Sequence, residues 1–179
     1  MARPHPESDP APEQPTLLHP TRGYADEPVP LAGRAALTAG FAAAIGGGAL
    51  AARRAGLTLP ERLQTGDLLA AGVATYKLAR IISKDKVTTF ARAPFTEFQE
   101  RAGRGEVDEA PRGGPLRRAV GELLTCPYCL GVWIASGFVG GLVTSPRPTR
   151  VVIAALDIVA IADGLQMLDR AAARTLTDS

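Results

Sequence analysis

Four apolar stretches alternate with polar ones along this 179-residue chain, and their lengths set the first expectations. Residues 35–52 carry no charge for eighteen positions and are followed by Arg53-Arg54. A helix needs about 20 apolar residues to cross a bilayer, so this stretch just reaches a span. Gly46-Gly47-Gly48 weakens a soluble helix but is tolerated in lipid. The rival readings are a buried helix of a soluble domain and a signal peptide. Ala49-Leu50-Ala51 resembles a cleavage site, but the stretch before it is too long and too acidic for a normal leader. Residues 64–83 predict a second helix, interrupted by Asp67, Lys77 and Arg80. Lys77, Arg80 and Lys84 follow i, i+3, i+7 spacing and share one face. Residues 123–146 form a third stretch, uncharged for twenty-four positions and containing Gly137-x3-Gly141. That spacing puts two glycines on one helix face, where another helix can approach closely. Pro146 and Pro148 predict a turn. Residues 151–168 form the last apolar helix, with Asp157 and Asp163 inside it and Asp163, Gln166 and Arg170 along one face.

The polar segments differ in kind. Residues 1–30 hold eight of the fifteen prolines and too little apolar surface to offset chain entropy, which predicts a disordered tail. The only histidines, His5 and His19, lie there and read as incidental polar residues rather than as a metal site. Residues 84–122 carry eight Lys or Arg against seven Asp or Glu, with turn signals at Gly103-Arg104-Gly105 and Pro111-Arg112-Gly113-Gly114-Pro115. This reads as a solvated loop, closed by a short amphipathic helix from Leu116 to Leu124. Its balanced charge and the chain's net charge of +2 argue against nucleic acid as a partner.

The expected fold is all-α: a small helical membrane bundle of three to four transmembrane helices with a disordered Pro-rich N-terminal tail. The chain divides into that tail (1–30), a first apolar helix and its turn (31–66), a membrane core (67–168) and a C-terminal tail (169–179). The core, built on the stretches after residue 64, is the firmer expectation, and 35–52 adds a fourth span if it crosses. Lys and Arg gather on the cytoplasmic side of membrane proteins, so loop 84–122 is expected in the cytoplasm of a bacterial inner membrane. Arg53, Arg54 and Arg62 in the first outer turn weigh against a four-span topology. No repeat, P-loop, dinucleotide-binding glycine pattern, zinc-protease helix or serine nucleophile elbow is present.

Two constellations carry chemistry. Cys126-Pro127-Tyr128-Cys129 stands at the head of the third stretch and contains both cysteines of the chain. A thiol at a helix N-terminus is acidified by the free N–H groups there, and Pro127 suits a first helical turn. Thiol–disulfide chemistry follows from that, with Cys126 as nucleophile and Cys129 as resolving thiol, although a thioredoxin-like strand before the motif is missing. Two thiolates are also half of a tetrahedral zinc shell, which a dimer would complete. The third reading packs both cysteines structurally, with Trp133 in the bundle or at its interface. The other constellation is charge inside apolar helices: Lys77 or Arg80 pairing with Asp157 or Asp163, as a static lock or as a proton or ion path.

The run from Lys77 through Arg80 and Lys84 to Thr88, then Arg92-Ala93-Pro94-Phe95, then Leu124-Thr125-Cys126-Pro127-Tyr128-Cys129-Leu130-Gly131-Val132-Trp133, resembles the bacterial domain-of-unknown-function family 1360. The resemblance covers roughly residues 67–168. It implies a small multi-span membrane protein of the kind found in Gram-positive bacteria, some of which are labelled sporulation proteins, and it supplies no mechanism. The expected function is therefore a non-enzymatic membrane component, in contact with lipid and acting by homo-oligomerisation or association with another membrane protein. A membrane thiol–disulfide protein and a dimeric metal site on the same cysteines are the alternatives. No cofactor is implied.

Overall fold

A computed structural model describes Tyr24, residues 29–103 and residues 105–177, with side chains to Thr175. The expected tail of residues 1–30, with His5 and His19, lies outside the described residues apart from Tyr24, Val29 and Pro30.

Among the described residues, four long helices run up and down. The first, α1 (Leu31–Arg54), ends where Gly56 takes φ +68°. There Leu57 N–H bonds Ala52 O and Gly56 N–H bonds Arg53 O. This is the paired closure that satisfies the last helical carbonyls, and it favours glycine because of the left-handed backbone. Helix α2 (Thr65–Ser83) returns antiparallel to α1. A folded segment follows, made of a 3-10 turn (Lys86–Thr88), a one-turn helix α3 (Thr89–Arg92), strands β1 (Thr96–Glu100) and β2 (Asp108–Pro111), and helix α4 (Pro115–Thr125). Helices α5 (Pro127–Thr144) and α6 (Pro146–Thr177) complete the bundle.

Helix α2 is the centre of the packing. Its Ala71 and Ala74 meet Phe138 and Leu142 of α5 and Ile153 of α6 in the main apolar cluster. Small side chains on α2 let both neighbours approach, which is how helices gain contact when burial from water is not the driving force. Helix α1 packs instead on α4, and more lightly on α5. Gly33 makes that contact: a Cβ there would overlap the Pro115 carbonyl oxygen and lie 2.7 Å from Ala119 Cβ.

Among the described residues, three helices are long and apolar enough to cross a membrane: α1, α5 and α6. Of the four expected segments, α1, α5 and α6 meet that length and composition and α2 does not. Helix α1 has 24 residues with an apolar centre, whereas α2 carries three charges and lies between α5 and α6.

Residues 84–122, expected as a solvated loop, are folded. Strands β1 and β2 pair antiparallel with Thr96 opposite Pro111 and Phe98 opposite Glu109, and the register shifts between Phe98 and Glu100. The returning chain also bonds the end of α2, through Val107 N–H to Lys84 O and Lys86 N–H to Gly105 O. The amphipathic helix expected over 116–124 is α4. The turn at Pro146 and Pro148 shrinks to one residue, Ser145, because proline is accommodated in the first turn of a helix, where its missing N–H has no helical partner. The expected C-terminal tail from 169 is helical as far as Thr177.

Candidate functional site

The head of α5 brings both cysteines together. Cys126 ends α4 and begins α5, in extended backbone with φ −105° and ψ 102°, so a single residue separates the two helices. Its sulfur accepts a hydrogen bond from Cys129 N–H at 3.1 Å, and its carbonyl accepts from Leu130 N–H at 3.1 Å. Cys126 is therefore the N-cap, a place where a helix offers unpaired N–H groups and a partial positive charge. The two sulfurs lie in disulfide-bonding contact. In the disulfide form the pair offers no thiolate to a metal, whereas the reduced pair offers two. No cluster of three or more metal-ligating side chains occurs among the described residues.

A groove of about 630 Å³ runs along the pair. Its walls come from α1, α4 and α5, with Leu37, Phe41, Leu123 and Trp133 supplying apolar surface beside Cys126 and Cys129. Phe41 and Trp133 meet edge to face, their ring centroids 4.9 Å apart. At its polar end Arg34 Nε donates to Glu122 at 2.8 Å, tying α1 to α4.

The cationic stripe of α2 is neutralised one residue at a time. Lys77 Nζ donates to Asp163 at 2.6 Å, with the lysine side chain 10% exposed and the aspartate 42%. Arg80 bonds Glu106 in the turn before β2. Lys84 donates to Asp108 of β2 at 2.8 Å. Sequence reasoning paired Lys77 or Arg80 with Asp157 or Asp163. The structure brings Lys77 to Asp163, sends Arg80 to the hairpin, and leaves Asp157 without an ion pair among the described residues, its Oδ1 buried with no hydrogen-bond partner. At the other end of the bundle Arg150 holds Asp67 through two bonds of 2.9 and 2.7 Å, joining α6 to α2. A polar cleft of about 400 Å³ lies between α2, α6 and the hairpin turn, lined by Lys77, Arg80, Glu106 and Asp163 among others.

Arg92 is the centre of a network that sequence reasoning passed over. Its side chain is 1% exposed and Glu109, its partner at 2.6 Å, is 3% exposed. Arg92 also donates to Ile82 O at 2.6 Å, to Asp85 O at 3.2 Å and to Thr88 Oγ1 at 2.6 Å, while Thr88 donates to Ile81 O at 2.5 Å. The last carbonyls of α2, which have no helical partner, are thus capped by side chains from the next turn. Thr96 adds a bond to Glu109 at 3.1 Å. The signal in the sequence was the near balance of charge over 84–122. Balanced charge reads equally as a solvated loop and as paired ions, and only the fold separates them.

The two glycines of the 137–141 pair behave differently. A Cβ on Gly141 would sit 2.6 Å from Thr149 Oγ1 of α6, whereas one on Gly137 would meet nothing within 4 Å.

These features define a class: a small, mostly helical protein with three helices able to cross a membrane, a folded cap of charged pairs, and a cysteine pair where cap and helix join. The chain belongs to the family described as protein of unknown function (DUF1360), whose model matches residues 69–169. It is 34% identical over 100 residues to the UPF0713 protein YngL of Bacillus subtilis, covering 55% of this chain and 72% of that one. It is 29% identical over 99 residues to the sporulation protein YjcA of the same organism, covering 54% of this chain and 84% of that one. No solved structure matches the chain.

Proposed function

We propose that the chain is an integral protein of the bacterial inner membrane whose Cys126–Cys129 pair cycles between dithiol and disulfide on the cytoplasmic side. The observation that carries this reading is the bonding contact of the two sulfurs at the N-cap of α5. A helix N-terminus stabilises a thiolate, the nucleophile of disulfide exchange. The folded cap between α2 and α5 is the segment rich in Lys and Arg, with eight over residues 84–122, which supports a cytoplasmic position for it and for the cysteines. Disulfides of cytosolic thiols in ordinary bacteria are transient, and serve catalysis or sensing rather than permanent bracing.

A second reading is a non-catalytic component acting by association. The pairing of Lys77, Arg80, Lys84 and Arg92 with carboxylates favours it. Charges neutralised in place lock helices together and offer no sequence of free sites to an ion.

Labelling with a membrane-impermeant maleimide separates the two. In inverted vesicles the redox reading expects labelling of the reduced pair, loss of labelling after the thiol oxidant diamide, and recovery after dithiothreitol. In Cys126→Ser, Cys129 should label whatever the diamide treatment. Labelling that diamide leaves unchanged would sink the redox reading. Zinc retained by the reduced, purified protein, one ion per two chains, would favour the dimeric metal site instead.

A further inference from the structure

We infer that the groove between α1, α4 and α5 holds a membrane-dissolved quinone that oxidises the Cys126–Cys129 dithiol. The inference rests on the redox reading and supplies what that reading lacks, an oxidant. A cytosolic thiol pair is kept reduced by the soluble thiol pool, so its disulfide must be regenerated by something outside that pool. The bilayer is the adjoining phase. A groove of about 630 Å³ is of the size that takes a small ligand, and both cysteines stand in its wall.

The lining suits a flat ring with a polar edge and an apolar tail. Phe41 and Trp133 offer aromatic surface at 4.9 Å from one another. Leu37, Leu123 and Val132 continue the apolar wall. Arg34 and Glu122 close the polar end, joined through Arg34 Nε at 2.8 Å, and the guanidinium carries further N–H groups suited to a quinone carbonyl oxygen. An acyl chain would use the apolar wall alone, leaving the polar end and the sulfurs without a role.

The reaction balances without another reagent. The S–H bonds of Cys126 and Cys129 break and one S–S bond forms. Two electrons and two protons pass to the quinone, whose two carbonyl oxygens become the hydroxyls of a quinol. Reduction of the disulfide by soluble thiols then returns the pair to its starting state, as two attacking thiols form a disulfide of their own.

The experiment uses the full chain in liposomes, reduced and freed of reductant. The probe is decylubiquinone, whose ring carbons are all substituted, so that a thiol cannot add to a free position. Loss of quinone absorbance and loss of maleimide-reactive thiol should proceed together, one quinone per chain. Leu37→Trp and Val132→Phe, filling the groove from α1 and from α5, should each slow quinone reduction by roughly tenfold or more. Their oxidation by water-soluble diamide and their thermal unfolding should stay as in the parent chain. Oxidation by diamide with none by quinone would overturn the inference while leaving the redox reading in place. Oxidation by neither would remove both. Groove-filled variants that react with quinone as fast as the parent would show that the ring does not sit there.

Discussion

At the scale of single residues, Arg92 carries the largest structural consequence. It closes the end of α2, bridges the 3-10 turn and neutralises Glu109 with both side chains almost wholly enclosed. Removing one partner of such a pair strands the other charge. Arg92→Ala should therefore lower stability by about 3–5 kcal/mol, read from denaturant unfolding in detergent micelles. Arg92→Met combined with Glu109→Met should recover much of that loss, since an apolar pair of similar volume avoids the cost of desolvating two ions. A double variant no better than the single one would show that the carbonyls of Ile82 and Asp85, rather than Glu109, are what Arg92 serves. The network was hidden from the sequence because Glu109 lies 17 residues from Arg92 across the hairpin, and because Ile82 and Asp85 take part through backbone carbonyls, which any residue offers. Cys126 and Cys129 were legible because their partnership is local, one helical turn long.

At the scale of elements, legibility follows the range of the interactions that build each one. Helices α1 and α5 announce themselves by uncharged apolar runs, α2 and α6 by apolar runs that single charges interrupt, and the helix ends lie near Gly56, Pro127 and Pro146, residues with strong local preferences. The hairpin of β1 and β2 does not, because its strands are short and largely polar, and are held by bonds to the end of α2. Which glycines matter is also a question of contact. Gly33 lies against Pro115 and Ala119, and Gly141 lies against Thr149, while Gly137 faces open space. Gly33→Val should loosen α1 from α4, and Gly141→Val should part α5 from α6, each at a cost of about 1–3 kcal/mol as overpacking. Gly137→Val should change little. Thermal unfolding of the three variants checks the order, and an equal loss at Gly137 would mean that this face is covered in the membrane.

At the scale of the whole molecule, the long helices alternate in direction and sort the charged pairs to two ends. Asp67 and Arg150 mark one end; the hairpin, α4 and the cysteines mark the other. Helix α6, with 32 residues and a length of about 48 Å, is longer than the hydrocarbon thickness of about 30 Å. Its last turns extend beyond the bundle at the cysteine end. In a chain with both cysteines replaced by serine, Leu59→Cys and Phe90→Cys, at exposed positions of opposite ends, should label from opposite faces of the membrane. Labelling of both from one face would mean that α2 does not cross with the others.

The single residue between α5 and α6 bears on how the protein is made. Ser145 is all that separates a helix ending at Thr144 from one beginning at Pro146. A joint that short gives the ribosome-bound chain no slack in which to settle one helix before the next emerges. In a membrane, two helices joined so closely enter as one hairpin rather than one at a time.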